Sequence, residues 1–117
     1  MENKEKEIYS LFRKNFSENE IYSHSELRSF LEENKLFSVK NVAAYSYNRW
    51  NKGMMEIHPL LEWINRGEYK YLGENYPYSG IVIHHPQGGI PYKIGKWIEG
   101  KLKFFNNFFK FKEWKES

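Results

Sequence analysis

The stretch that decides the fold runs from Ser38 to Gly73 and reads SVKNVAAYSYNRWNKGMMEIHPLLEWINRGEYKYLG. In its first half, apolar and small residues recur at helical spacing behind a serine, a residue type that favours the N-cap position. In its second half, two runs of strand-forming residues flank Asn65-Arg66-Gly67, which is a turn sequence. The stretch therefore predicts a helix over Val39–Asn51, followed by a β-hairpin over Leu60–Leu72.

The two faces of the predicted helix differ in character. The inner face consists of small and apolar residues, namely Val39, Val42, Ala43, Ser46 and Trp50. The outer face carries the candidate DNA-binding residues Lys40, Asn41, Tyr45, Asn48, Arg49 and Lys52. Asn pairs bidentately with adenine and Arg with guanine in the major groove, while Tyr and Lys suit phosphates. An ordinary solvated helix face mixes Glu with Lys, whereas this segment has no acidic residue. A plain solvated surface stays open as the alternative.

The residues before this stretch predict two helices with a short strand between them. Apolar side chains lie on one face of a helix over Glu5–Asn15. Ser23 and Glu26 form a capping-box pattern that starts a second helix, and Ile21-Tyr22 fits the short strand. Together with the third helix and the hairpin, these elements predict a core built from Leu11, Phe12, Leu27, Phe30, Leu31, Val42, Trp50 and Leu61.

The residues after Tyr76 predict a β-rich extension. Ile81–Ile83 and Ile90–Ile94 fit short strands on either side of a turn that contains Pro and Gly. From Lys96 to Lys115, lysines alternate with aromatic residues, and both strands and a helix stay open for the segment Gly95–Ser117. The alternation suits a stacking platform for single strands or a phosphate-binding face. It equally suits an amphipathic element that packs its aromatic side chains inward, or a dimer interface.

These features together resemble a winged helix-turn-helix domain. The resemblance rests on the capped helix that begins at Ser23-His24-Ser25-Glu26, on the helix Val39–Asn51 and on the hairpin Leu60–Leu72. It implies an α+β fold with three helices and a β-hairpin wing over residues 1–75, and a β-rich aromatic and lysine extension packed on it over residues 76–117. It also implies that the third helix enters the major groove of duplex DNA while the wing, with Arg66 at its tip, contacts the backbone or the minor groove.

The residue types that carry most enzyme chemistry are scarce in this chain. It contains no cysteine and no aspartate. His84 and His85 are adjacent, so on a strand they point to opposite faces and do not easily bind one ion together. Glu68-Tyr69-Lys70 has the Glu-x-Lys half of a metal-dependent nuclease motif, but the partner aspartate is missing. We therefore expect a non-enzymatic protein with no catalytic residue, no metal site and no cofactor.

The composition is that of a basic and aromatic-rich globular domain. The formal net charge is +3, the isoelectric point is near 9.0, and 19% of the residues are aromatic. The N-terminus lacks the apolar run of a signal peptide, and no apolar stretch reaches the roughly 18 residues of a membrane span. We expect a cytoplasmic protein with no membrane association. The predicted function is that of a small bacterial or phage regulator that binds double-stranded DNA.

A second function class stays open. Winged helices also serve as pure protein-interaction modules, so the resemblance does not decide the function. In this alternative the chain is a phage-type module that inhibits or modulates a host defence or polymerase complex. The anchors on a host protein partner would then be Tyr76, Tyr78 and Trp97, because Tyr and Trp are enriched at interface hot spots.

Overall fold

Two helices, one 3₁₀ turn and seven strands make up the described part of the chain in the computed structural model, which covers residues 2–50, 57–84 and 89–105. In chain order they are α1 (Glu2–Asn15), β1 (Ile21–Ser23), α2 (His24–Glu33), the 3₁₀ turn (Val42–Tyr45), β2 (Arg49–Trp50), β3 (Leu61–Asn65), β4 (Glu68–Tyr71), β5 (Gly80–His84), β6 (Tyr92–Ile98) and β7 (Lys101–Phe104). Over these residues, neither helix is long and apolar enough to cross a membrane.

The strands form two sheets. The first has the order β1-β4-β3, and its pairs are antiparallel. The second has the order β2-β5-β6-β7, in which β2 runs parallel to β5 and the other pairs are antiparallel. The architecture is therefore a sheet-rich α+β fold in which two helices accompany two sheets.

Several local signals in the sequence act as predicted. Helix α2 begins with a capping box in which the Ser23 hydroxyl accepts from the Glu26 N–H (3.0 Å) and the Glu26 carboxylate accepts from the Ser23 N–H (2.9 Å). The hairpin forms as β3 and β4, and Gly67 in its turn has a φ of +84°, which favours glycine. The short strand β1 forms between the two helices and pairs with β4.

The prediction of three helices plus a wing is wrong, because the third helix does not form. In its place the chain makes the short 3₁₀ turn and then enters β2. The carbonyl of Ala44 accepts from the His58 N–H (2.8 Å), and that of Tyr45 accepts from the Leu60 N–H (2.9 Å). An α-helix would have used these carbonyls for its own bonds four residues on. The segment that leads into β3 therefore takes the backbone groups that the predicted helix needed.

Burial gives a second reason for the missing helix. All six side chains from Val42 to Tyr47 are buried. An amphipathic surface helix would instead have exposed one of its faces to solvent. Side-chain spacing in this stretch matches a helix, but tertiary packing overrides the local preference.

Asn48 joins the two sheets. Its side-chain amide donates to the carbonyl of Trp63 (3.0 Å) and accepts from the Trp63 N–H (2.8 Å), so it bonds to β3 as a strand backbone would. Its own backbone carbonyl accepts from the N–H of Ile83 in β5 (2.9 Å). The neighbouring Ser46 makes an isolated parallel bridge with Leu61, also in β3. The segment from Ser46 to Trp50 is thus bonded to both sheets.

One hydrophobic core connects these elements. Six of the eight predicted core residues are buried in it, namely Phe12, Leu27, Leu31, Val42, Trp50 and Leu61. Leu11 and Phe30 are partly buried and pack against the same core. The core also contains Val82 of β5 and Ile94 of β6, so the second sheet shares it with the helices and the first sheet.

The chain after residue 76 contributes the strands β5, β6 and β7. Trp97, Leu102 and Phe104 are partly buried, and their side chains pack against the core. At Gly95, a Cβ atom would lie 2.7 Å from the carbonyl oxygen of Lys103, so glycine permits the close approach of β7. The segment from residue 106 onward, where strands and a helix were both open, lies outside the described residues.

We expect the Asn48→Ala variant to be less stable by about 1–3 kcal/mol, because it leaves two partly buried backbone groups of Trp63 without their partners. The measurement is urea unfolding followed by circular dichroism. Asn15→Ala is the matched control, since it removes an exposed side-chain bond to the Leu11 carbonyl. Equal stability of the two variants would contradict the role assigned to Asn48.

Candidate functional site: a lysine face and an aromatic pocket

The first three of the predicted DNA-binding residues make hydrogen bonds within the protein itself. The Lys40 ammonium donates to the carbonyls of Leu31 (2.8 Å) and Asn34 (3.3 Å), so it caps the C-terminal end of α2. The Asn41 side chain accepts from the Ala43 N–H (3.0 Å) and caps the 3₁₀ turn. Tyr45 is buried, and its hydroxyl donates to the Val39 carbonyl (2.7 Å).

The second half of that set is divided between fold and surface. Asn48 joins the two sheets. The guanidinium of Arg49 lies 5.4 Å from the ring centre of Trp63, a cation–π arrangement. Arg66 is exposed at the hairpin turn, while Lys52 lies outside the described residues. These side chains therefore do not form one exposed helix face.

The outward side of β6 and β7 carries four exposed lysines. Register pairs Lys96 with Lys103 and Ile98 with Lys101, while Gly95 and Trp97 alternate with them on the inner side. In β5, Ile83 lies opposite Lys93 and Ile81 opposite Lys96, so the outer surface of β5 is apolar. We call the lysine set the lysine face; its members are Lys93, Lys96, Lys101 and Lys103.

The lysine face is electrostatically one-sided. None of the strands β5, β6 and β7 contains an acidic residue. The nearest carboxylate along the chain is that of Glu99, in the turn between β6 and β7. Lys96 and Lys103 occupy directly opposite positions on neighbouring strands, and like charges in that arrangement destabilise a sheet. The Lys96–Lys103 pair therefore does not stabilise this sheet.

A second surface feature is a pocket of about 190 Å³ between α1, the start of β3 and the end of β6. We call it the Trp97 pocket; its lining residues are Tyr9, Tyr47, Pro59, Asn75, Tyr76, Trp97 and Gly100. Four of the seven are aromatic. A second hollow of about 250 Å³ shares Pro59 and Trp97 with it and is otherwise lined by Trp50, Ile57 and Leu102.

The back of the Trp97 pocket is held rigidly. The indole N–H of Trp97 donates to the Tyr47 carbonyl (2.8 Å), and the two rings meet edge to face at 5.2 Å. The Tyr47 hydroxyl donates to the Gly73 carbonyl (2.7 Å) and accepts from the N–H of Tyr76 (3.1 Å). These bonds fix both ring planes, so two walls of the pocket are preorganised.

Two of the three predicted partner anchors meet at this pocket. Tyr76 is 40% exposed and lines the pocket together with Trp97. Tyr78 is not one of the residues that line the pocket, and it is only 6% exposed. Its ring stacks on Tyr47 at 4.9 Å, and its hydroxyl donates to the Glu62 carboxylate (3.0 Å). Tyr78 is therefore a supporting residue of the pocket rather than an exposed anchor.

Carboxylates lie close to the phenols around the Trp97 pocket. The Tyr9 hydroxyl donates to the Glu5 carboxylate (3.0 Å), which also lies 3.6 Å from Nδ1 of His58. Burial raises the pKa of the Tyr9 phenol well above its usual value, and the Glu5 hydrogen bond adds to this. Burial also raises the pKa of Tyr47, and the charge of Glu74 acts in the same direction. Glu74 is paired with Arg13.

The histidine pair of the sequence does not gather metal ligands in the described residues. His84 is buried, and its Nδ1 lies 3.1 Å from the Trp50 carbonyl. Because a carbonyl only accepts, Nδ1 carries the proton in this bond. His85 lies outside the described residues. Over the described ranges, no three His or Glu side chains come together as a metal site would require.

Comparison with known proteins gives the family. The model of a domain of unknown function, DUF7225, matches residues 4–104. The chain belongs to this family. The uncharacterized protein YnaC of Bacillus subtilis (strain 168) is 36% identical over 85 residues, which make up 70% of this chain and 32% of YnaC. The chain thus spans about a third of the length of that relative. No solved structure matches this chain.

The DUF7225 match includes every residue of the lysine face and of the Trp97 pocket. Sequence reasoning offered the alternation from Lys96 onward as a phosphate-binding face or a stacking platform, but it named none of these lysines among the DNA-binding residues. It also missed Tyr9, Tyr47 and Pro59, which come from three distant parts of the chain. Part of the lysine face carried a readable signal, because Lys101 and Lys103 are two positions apart on one strand. Lys93 and Lys96 are three positions apart and share the outward side only through the register shift between Val82 and Ile83. No such signal in the sequence indicated the Trp97 pocket, because only the tertiary fold brings its lining residues together.

We expect the stability of the domain to fall as the pH rises above about 10. Burial, aided by the charge of Glu74, raises the pKa of Tyr71 to about 12, and burial raises that of Tyr78 further. Unfolded tyrosines lose their protons near pH 10 while the folded ones keep them, so the unfolded state binds fewer protons in this range. Below pH 10 both states are protonated, and this contribution is fully present.

The measurement is urea unfolding at a series of pH values on either side of the tyrosine range, with the free energy of unfolding plotted against pH. Tyr78→Phe removes one of the ionisable phenols, so its curve is expected to fall less steeply, although the variant starts lower because it loses the bond to Glu62. A free energy of unfolding that stays constant up to the alkaline end would contradict the burial of these phenols.

Proposed function

We propose that this domain binds double-stranded DNA through the lysine face, as a non-catalytic DNA-binding domain that contacts phosphates. The observation that carries the proposal is the juxtaposition of Lys96 and Lys103 across β6 and β7, flanked by Lys93 and Lys101. Four ammonium groups on one sheet face, in strands without a carboxylate, match a row of phosphates. The overall charge of +3 favours the same class of partner.

The chemistry of the face favours a duplex over a single strand. Binding of single strands relies on exposed aromatic rings on which bases stack. In the described part of this alternation, the side chains of Trp97 and Phe104 pack against the core. Lysine contacts a phosphate as a point charge and does not read base edges in the way that Arg and Asn do. The proposed binding is therefore directed at the backbone and discriminates little between sequences.

Binding through four lysines predicts a steep but bounded dependence on salt. Each neutralised phosphate of B-DNA contributes about −0.9 to the slope of log K against log salt concentration, so a slope of about −3 to −4 is expected. Affinity at physiological salt should fall in the range typical of non-specific binding, with a Kd of about 10⁻⁴–10⁻⁶ M. Fluorescence anisotropy with a labelled duplex measures both quantities.

The decisive variant is Lys103→Glu. It removes one phosphate contact and places a repelling charge on the face, so we expect the affinity for DNA to fall by about tenfold or more and the salt slope to flatten by one or more. The same change creates an opposite-charge pair with Lys96 across the strands, so stability should stay equal or rise by about 0.2–1 kcal/mol. Loss of binding with retained stability separates a binding role from a folding role.

Lys35→Glu is the matched control, because it makes the same change of charge at an exposed position in the turn after α2. The proposal requires Lys103→Glu to weaken binding much more than Lys35→Glu does. Equal weakening by the two variants would mean that only the net charge matters. Wild-type affinity that does not respond to salt would also contradict the proposal.

A further inference from the structure

We infer that the Trp97 pocket binds a small organic cation whose charged group is a methylated ammonium, such as the trimethylammonium group of choline. This binding site is separate from the lysine face, because Trp97 points to the inner side of β6 and the lysines point outward. The two surfaces also carry opposite chemistry. The inference does not depend on the proposed binding of DNA.

The rings around the pocket have the arrangement that binds such a cation. Tyr9, Tyr47, Tyr76 and Trp97 all line it. The Tyr47 and Trp97 rings pack edge to face at an angle of 75°, and Tyr47, which also stacks on Tyr78, is almost fully buried. The faces of aromatic rings carry negative potential, and several rings around one site attract a quaternary ammonium ion. The exposed Tyr76 supplies a wall at the mouth of the pocket.

The charges near the pocket complement a cation. The Glu5 carboxylate is bonded to the hydroxyl of Tyr9, one of the walls. Glu74 adjoins Asn75, which lines the pocket, and it is balanced by Arg13. None of the described residues that line the pocket is itself positively charged. A cation that enters therefore meets aromatic rings and an amide, and no repelling charge from the lining.

The size of the pocket limits the ligand. Its volume of about 190 Å³ is below the roughly 300–1,000 Å³ of pockets that hold drug-sized molecules. A trimethylammonium group with a short chain suits this space. The walls fixed by Tyr47 and Trp97 need no rearrangement to receive it, which lowers the cost of ordering on binding.

The experiment titrates the 117-residue protein with choline and, separately, with 3,3-dimethylbutan-1-ol, a neutral molecule of the same shape. Binding is followed by ¹⁵N-resolved NMR on the indole N–H of Trp97, identified by its loss in Trp97→Phe, and the affinity is measured by calorimetry. We expect choline to saturate one site and to bind at least about tenfold more tightly than the neutral molecule, since the cation–π contribution is absent from the latter.

Substitutions at the mouth of the pocket test the assignment of the site. Tyr76→Ala should weaken choline binding by about five- to tenfold, whereas Tyr76→Phe, which keeps the ring, should change it by less than about twofold. Tyr92→Ala is the control, because it removes another exposed tyrosine at the far end of β6. Unfolding curves of the variants confirm that each is folded.

Three results would overturn the inference. One is equal affinity for choline and the neutral molecule, which would make the pocket simply apolar. Another is the absence of any shift at the Trp97 indole during the choline titration. The third is choline binding that Tyr76→Ala leaves unchanged. Each of these results is independent of DNA binding, because the proposed DNA site uses none of the residues in the pocket.

Discussion

Asn48 bonds with its side chain to both backbone groups of Trp63 in β3, and with its backbone carbonyl to Ile83 in β5. These bonds hold β3, at the edge of the first sheet, at a fixed distance from β5 in the second sheet. Trp50 follows two residues later, pairs with His84 and fills the shared core. Because few side chains can donate to a carbonyl and accept from the N–H of the same residue, few other residues would serve at position 48.

The surfaces of the molecule depend on this junction. Once the segment 46–50 fixes β5, the antiparallel pairs place β6 and β7 in turn. Their alternation, together with the register shift between Val82 and Ile83, then puts the four lysines outside and Trp97, Leu102 and Phe104 inside. The same segment supplies Tyr47, whose carbonyl and hydroxyl fix Trp97 and the turn before Tyr76. Both the lysine face and the Trp97 pocket therefore depend on the conformation of the segment 46–50.

Features that depend on neighbours in the sequence could be predicted. The capping box at Ser23, the hairpin turn at Gly67 and the apolar stripe of α1 each need only a few adjacent residues. The prediction of the third helix was wrong because the conformation of its segment depends on residues that are distant in the sequence. Val42, Ala43 and Ser46 have helical spacing, but their backbone environment is set by the segment before β3. A buried connecting segment and a helix share this spacing, and only long-range hydrogen bonds distinguish them.

The candidate site likewise contains features that the sequence predicts and features that it does not. The spacing of Lys101 and Lys103 places them on one face of a strand, which could be read from the sequence. Lys93 and Lys96 are three positions apart, and only the register shift between Val82 and Ile83 puts both on that face. Tyr76 and Trp97 were identified as exposed aromatic candidates, and both lie at the pocket. Tyr78, of the same residue type and only two positions away from Tyr76, is buried against Tyr47. Nothing local distinguishes the two tyrosines, since their difference comes from the register of β5 and the position of the segment 46–50.

The most direct test of this account is amide hydrogen exchange by NMR, read at Tyr47 and Ile83 together with the Cα chemical shifts of residues 42–50. The amides of Tyr47 and Ile83 donate to Leu61 and Asn48 and so belong to the connection between the sheets. The account predicts that both exchange only through global unfolding and that no helical run of Cα shifts extends beyond the 3₁₀ turn. Continuous helical shifts over Val39–Trp50, with rapid exchange at Ile83, would contradict it.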